Sequence, residues 1–314
     1  MTGLFLGVLA AYLVHAIALH RASGPETEAD AETHLHRGMP APLMPFALFL
    51  AVHALESARL SAWLHSPAVL ASAGALLMLV MLNQLRRKHL ELHGGGAAFR
   101  IFYVAGGALQ TVLLVLAGYY AWEEGILGRG LFHPQWVILG LAGGHLIFGI
   151  SLLFSHRSLE SLRDIGVYIA DPRPVSAYAA RSPRQVFACI DVSLIEELVY
   201  RVAAQGLLLA WTGNAWAAIL VTAVVFSVVH RHFFYNHVVD SAEFLAFSIL
   251  LGALYHLTGS LTLVVLVHAV RNLEIVYFDQ SKDPADGAGS AEPAPRAAIG
   301  ARWRAPVYSP MHGK

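Results

Sequence analysis

The chain has 314 residues, of which 56% are hydrophobic and 13% charged, and its formal net charge is zero. A soluble domain carries about 25% charged residues, so the composition excludes an ordinary soluble protein, and the balanced charge gives no basis for a nucleic-acid partner. The single cysteine, Cys189, excludes an internal disulfide and any metal site built from several cysteines.

A hydrocarbon core of about 30 Å takes about 20 apolar residues of helix, and by that criterion the chain reads as an all-α, polytopic transmembrane helical bundle of about nine spans. The first lies near 2–19. Residues Gly3–Leu19 are apolar, no positive stretch precedes them, and His20, Arg21, Ala22, Ser23 and Gly24 offer no clear cleavage site. The expectation is therefore a retained span rather than a cleaved signal peptide. A polar, acidic loop follows over 21–38. Spans two and three lie near 42–64 and 66–84, divided at Ser66-Pro67, and a basic segment runs from Arg86 to Arg100. Span four, near 101–121, ends in Trp122-Glu123-Glu124, and span five, near 135–154, follows His133-Pro134. The polar connection over 155–184 opens with RSLESLRDIGVYI, an amphipathic pattern suited to a membrane interface. Span six covers 186–211, span seven 214–230, span eight 242–258 and span nine 261–278. The tail from Ser281 is rich in Ala, Pro, Gly and Arg and reads as disordered. There is no internal repeat.

Lys and Arg in short loops set orientation. With the N-terminus outside, the inner loops hold Arg21, Arg37, Arg86, Arg87, Lys88, Arg100, Arg157, Arg163, Arg173, Arg181, Arg184 and Arg231. The outer loops hold Arg129 and little else. This asymmetry predicts an outside N-terminus, a cytoplasmic C-terminus and an odd number of spans. The abundance of Ala, Leu and Arg resembles a high-GC bacterium, which points to a bacterial inner membrane.

Span six breaks the apolar rule. Within Asp191–Trp211 it carries Glu196, Glu197 and Arg201. A charge at the bilayer centre costs roughly 2.5–3.5 kcal/mol on insertion scales. Three of them in six residues are hard to insert for packing alone. Glu197 and Arg201 stand at i and i+4 and share a helix face, acid first, which is the favourable order. Glu196 lies about 100° round the helix and has Tyr200 at i+4 in place of a cation. It is the freer acid and the candidate for proton transfer. The alternative is a charge cluster that only locks helices together.

Two later spans bring one histidine each to similar depth. Phe226 and His230 share a face at the end of span seven; a lone histidine there is otherwise an interfacial residue. His268 and Asn272 share a face in span nine, and an imidazole and a carboxamide can together donate to one developing oxyanion. The plain alternative is interhelical hydrogen bonding.

The pattern EExxxR, then FxxxH, then HxxxN, in that order on three spans, resembles the CPBP family of intramembrane proteases, the CAAX protease and bacteriocin-processing enzymes. The resemblance covers about 186–278, and all three motifs match without substitution. It implies a glutamate-dependent endopeptidase acting on a membrane-associated or lipidated protein or peptide, with the lipid bilayer as its other partner and no cofactor. Glu196 and His230 would activate a water. His268 and Asn272 would stabilise the oxyanion, and Glu197, Arg201 and Phe226 would position the others. No metal is implied. The domain reading that follows is N-terminal spans of unassigned role over 1–125, a CPBP-like core over 126–280 and a tail over 281–314.

Two other classes remain. Glu196, His230 and His268 could supply the three ligands usual for a catalytic zinc, although no HExxH motif is present. A non-enzymatic immunity factor or scaffold, or a proton-coupled transporter, could also use buried acids. The lack of an inverted repeat weighs against a transporter.

Overall fold

The computed structural model describes residues 2–22, 97–126, 133–153, 161–230 and 238–282. Every regular element among them is helical. In chain order these are α1 (Thr2–Ala22), α2 (Ala97–Glu123), α3 (Pro134–Ser151), α4 (Ser161–Ala170), α5 (Arg173–Arg181) and α6 (Pro183–Glu197). The rod begun by α6 continues unbroken through a π-helical stretch, Leu198–Gln205, into α7 (Gly206–Thr212). Then follow α8 (Ala215–Val229), α9 (Val238–Thr258) and α10 (Leu261–Lys282).

Among the described residues, four stretches are long and apolar enough to cross a membrane: Ala105–Glu123, Pro134–Ser151, Val238–Thr258 and Leu261–Phe278. Thr2–Ala18 and Ala215–Val229 are apolar but shorter. The chain is an all-helical integral membrane protein. The expected spans two and three, and the tail from residue 283 on, lie outside the described residues. Each of the other expected spans falls on a helix. Span eight begins earlier than its hydropathy suggested, because Val238, Val239 and Asp240 already form the first turn of α9.

The helix boundaries follow from local chemistry. Pro134 opens α3 and Pro183 opens α6, each at a position where the missing N–H would have no partner. Gly213, with φ of 64°, ends α7 and donates its N–H to the Leu209 carbonyl at 2.8 Å. A left-handed residue there favours glycine. Asn214 then caps α8, its side-chain oxygen accepting from the Ala217 N–H at 3.0 Å. Gly259 and Ser260 repeat the device between α9 and α10. Gly259 has φ of 62° and bonds back to Tyr255, and the Ser260 hydroxyl accepts from the Leu263 N–H at 3.2 Å. Two such short turns fold the chain back on itself on each side of α8 and α9.

Close approach by glycine sets the packing of α3 on α10. A Cβ placed at Gly140 would lie 2.7 Å from Leu266 Cβ, and one at Gly144 would lie 2.7 Å from Val270 Cβ. Small residues allow helices in lipid to approach this closely. On the other side of the bundle, Phe5 and Leu9 of α1 and Leu113, Leu114 and Ala117 of α2 share one apolar cluster with Val199, Tyr200, Ala203 and Phe226. The first two described helices thus cover the π-helical stretch that follows the two acids. The amphipathic connection is helical over α4. Ile165 and Tyr168 pack on Phe148, Leu152 and Val175, while Leu162, Arg163 and Val167 stay exposed.

Neighbouring glycines on α3 separate close packing from mere helix propensity. Gly144→Ala puts a methyl against Val270 and is expected to cost about 1–3 kcal/mol. Gly143→Ala meets only Val267 Cγ2, at 3.7 Å, and is expected to be neutral or mildly stabilising. Thermal unfolding of both variants in detergent measures the difference; equal melting points would refute the glycine contact.

Candidate functional site

The acids Glu196 and Glu197 are the last two residues of α6, and Arg201 lies in the π-helical stretch beyond them. The i,i+4 pairing expected from the sequence forms: Arg201 Nε donates to Glu197 Oε2 at 3.0 Å. Both side chains are fully buried. Arg201 also donates through Nη2 to the Ser248 hydroxyl of α9 at 3.0 Å, and its guanidinium lies 5.0 Å from the Phe226 ring centroid. A buried charge is tolerated only when it is paired and hydrogen-bonded, and here one arginine meets a carboxylate, a hydroxyl and an aromatic face. The π-helix itself was not legible in the sequence. Such stretches inside α-helices recur at functional sites. Farther along it, Gln205 donates to the Gly252 carbonyl at 2.9 Å, which ties the rod to α9.

Glu196 faces the two histidines. Its Oε1 lies 3.1 Å from His230 Nε2 and its Oε2 lies 3.5 Å from His268 Nε2. His230 sits at the C-cap of α8, and its Nδ1 lies 2.8 Å from the Phe226 carbonyl of the preceding turn. A carbonyl oxygen only accepts, so Nδ1 carries a proton and donates it. That leaves Nε2 to exchange a proton with Glu196. His268 is held in the same manner from the other direction: its Nδ1 lies 2.7 Å from Glu197 Oε1. Glu197 therefore serves Arg201 and His268 together. The Glu196 and His230 side chains keep 16% and 28% of their surface exposed, whereas Glu197 and Arg201 keep none. The first pair is partly accessible and the second is sealed off.

Asn272 lies one turn along α10 from His268. Its Nδ2 lies 3.5 Å from the Ser193 hydroxyl, on the turn of α6 that precedes Glu197. Phe226 is completely buried. Its ring meets His230 at 4.2 Å, Phe244 at 5.3 Å and His268 at 6.0 Å between centroids. Phe247 meets His268 edge-on at 5.5 Å. These rings form the dry wall against which both imidazoles stand. All seven residues singled out in the sequence thus belong to α6, the π-helical stretch, α8 or α10, and six of them join in one contact network. Asn272 touches α6 one turn away from it.

Several polar residues beside this site were not singled out from the sequence. Ser248 is the arginine's second partner, and Ser193 meets Asn272. Arg271, next to Asn272, donates to both oxygens of Glu243 at 3.1 and 2.8 Å and lies 4.5 Å from the Phe247 ring centroid. Glu274, fully buried, meets His145 of α3 at 2.6 Å. Arg271 and Glu274 were open to detection by the criterion that isolated span six, since both are charges inside an apolar run. Among the described residues no cluster of three or more His, Cys, Asp or Glu side chains is arranged to hold a metal ion.

Residues 182–273 match the family model described as type II CAAX prenyl endopeptidase, Rce1-like. This stretch of the chain is similar to that family. The match bears out the family resemblance drawn from the three motifs, and it contains every one of the seven residues they supply. No curated protein matches the chain, and no solved structure does.

The burial of the Glu197–Arg201 ion pair has a measurable consequence. Breaking a buried pair strands the remaining charge and costs about 3–5 kcal/mol. Arg201→Met is expected to lower stability by that order, and Glu197→Gln added to it should restore part of the loss. Chemical unfolding of the single and double variants checks this; equal stability of the two would mean that no uncompensated charge was left behind.

Proposed function

We propose that the chain is an intramembrane endopeptidase of the glutamate type, cleaving a membrane-associated or lipidated protein or peptide. One observation carries the reading: a single partly accessible carboxylate, Glu196, stands between the Nε2 atoms of two imidazoles, at 3.1 and 3.5 Å. The Rce1-like stretch supports peptide hydrolysis in particular, since the family model is described as a prenyl endopeptidase.

In this reading Glu196 and His230 remove a proton from a water molecule. The hydroxide attacks the scissile carbonyl carbon. The Asn272 carboxamide and His268, as an imidazolium whose Nδ1–H is held by Glu197 and whose Nε2–H is free to donate, stabilise the oxyanion that forms. Collapse of the tetrahedral intermediate expels the amine, which takes its proton from the Glu196–His230 pair. Glu197 holds His268 through Nδ1 and is itself held by Arg201, so both act by positioning. Phe226 fixes His230 through its carbonyl and its ring. Residues 126–280 form the protease core in this scheme, residues 1–125 a separate set of N-terminal spans, and 281–314 a tail. The Lys/Arg asymmetry supports an outside N-terminus and a cytoplasmic C-terminus, and the Ala-, Leu- and Arg-rich composition supports a bacterial inner membrane.

The scheme uses no metal and no serine or cysteine nucleophile. General acid–base catalysis contributes about 10²–10⁴-fold, so Glu196→Gln and His230→Ala should each lower cleavage by at least that lower bound while the protein stays inserted and folded. Stripping metal from purified protein should leave the rate unchanged, whereas loss of activity restored by zinc would favour the zinc-peptidase alternative. Comparing membrane proteomes of cells carrying the wild-type chain and Glu196→Gln should reveal uncut precursors. If none accumulates and Glu196→Gln cleaves a farnesylated CAAX peptide as fast as wild type, the glutamate mechanism is wrong.

A further inference from the structure

A second buried carboxylate–imidazole pair lies on the far side of the helix that carries His268 and Asn272. Glu274 is fully buried, and its Oε1 lies 2.6 Å from His145 Nδ1 of α3. The Tyr168 ring of α4 packs on the His145 ring at 5.0 Å between centroids. Glu274 Oε2, His145 Nε2 and the Tyr168 hydroxyl are all buried with no hydrogen-bond partner among the described residues. Glu274 falls one residue beyond the Rce1-like stretch, and His145 and Tyr168 precede it. An ionisable group inside the membrane is functional by default, and this one belongs to none of the three motifs.

Its position on α10 explains what it does. Asn272 and Glu274 are two residues apart, about 200° round the helix. One therefore faces α6 and the other faces α3. The other contacts between α3 and α10 are apolar, among them Gly140 and Gly144 against Leu266, Val267 and Val270, and the Phe148 ring against Phe278 at 5.6 Å between centroids. Apolar contact along a glycine groove is non-directional and permits sliding or rotation. A short hydrogen bond to a carboxylate is directional and roughly twice as strong as a neutral one. It fixes the register of α10 about 3 Å along the axis from Asn272 and about 9 Å from His268, at 1.5 Å per residue. Oxyanion donors must be held to within about 0.5 Å.

We propose that His145 and Glu274, backed by Tyr168, form a polar latch that sets the register of α10 on α3, which makes Glu274 and His145 positioning residues for His268 and Asn272. The catalytic part of this role rests on the reading of His268 and Asn272 as oxyanion donors. The latch itself does not.

Cys189, the single cysteine of the chain, gives a test that needs no substrate. It is buried in α6 against Ala269 and Leu273 of α10, so its rate of reaction with a membrane-permeant maleimide reports how often α10 lifts away. In full-length protein, Glu274→Ala and His145→Ala should each accelerate labelling by about tenfold or more, as local opening becomes easier. Glu274→Gln keeps an oxygen able to accept from His145 and should stay within about threefold of wild type. Labelling of Glu274→Ala at the wild-type rate would overturn the latch, as would labelling of Glu274→Gln as fast as Glu274→Ala. Tyr168→Phe and circular dichroism of each variant separate local release from general unfolding: a global effect would expose Cys189 with loss of helix. On a cleavable peptide, Glu274→Ala should reduce kcat with KM unchanged. Accelerated labelling with unaltered kcat would remove the positioning role and leave only a structural clamp. Glu196→Gln should abolish cleavage and leave labelling unchanged, so failure of the peptidase reading and failure of the latch give different results.

Discussion

The bundle depends on the pairing of Glu197 with Arg201. Neither group is exposed to solvent, and an isolated ion in such a place is prohibitively costly. The pair is one link in a longer line of polar contacts. Ser248 meets Arg201, Arg201 meets Glu197, Glu197 meets His268, His268 faces Glu196, Glu196 meets His230, and His230 returns to the Phe226 carbonyl. The line crosses α9, the rod of α6 and its π-helical extension, α10 and α8. Each member needs the next to remain satisfied. Helices that glycine and apolar contacts bring together are thereby held in one rotational arrangement, since satisfied polar networks in a core specify orientation where dispersion does not.

The two adjacent acids differ because the helix turns about 100° between them. Glu197 points into the dry interior, where an arginine and an imidazole Nδ1 occupy its two oxygens. Glu196 points to a partly open position where both of its neighbours are imidazole Nε2 atoms. A charge fixed by a guanidinium is poor at exchanging protons and good at orienting a neighbour. A carboxylate flanked by imidazoles can exchange protons with either. The same residue type, one step apart in sequence, is thus given two different environments, as happens with paired carboxylates elsewhere.

How much of this was legible depends on the range over which each signal acts. The i,i+4 rule is local, so Glu197–Arg201 and the shared face of His268 and Asn272 could be read directly. Apolar run length is also local, and it placed α1, α2, α3, α8, α9 and α10 well. The convergence of Glu196 with His230 and His268 is tertiary; the sequence offered it only through three motifs in a fixed order. The π-helix escaped notice because nothing in LVYRVAAQ marks a widened turn; its residues would serve an α-helix equally well. The contact of Glu197 with His268 was missed for a different reason. Once Arg201 had been found at i+4, the acid already appeared satisfied, and a carboxylate's second oxygen was left without a partner. Arg271 and Glu274 went unremarked because they sit among the polar residues of HAVRNLE, where two motif residues had already accounted for the polarity.

The stretch that matches the family model contains all seven motif residues, yet it is not the whole of what holds them in place. The π-helical stretch is tightly covered on one flank. Here that cover comes from Phe5 and Leu9 of α1 and Leu113, Leu114 and Ala117 of α2, packed on Val199, Tyr200 and Ala203. Phe226, which supports both the arginine and His230, belongs to the same cluster. The other side of the site is braced by α3, whose Gly140 and Gly144 admit α10. The covering residues of α1, α2 and α3 all precede 182. The polar line from Ser248 to His230 is therefore local to the matched stretch, while much of the apolar cover that packs its helices together is supplied by helices outside it. The polar network and much of the apolar packing that surrounds it come from different parts of the chain.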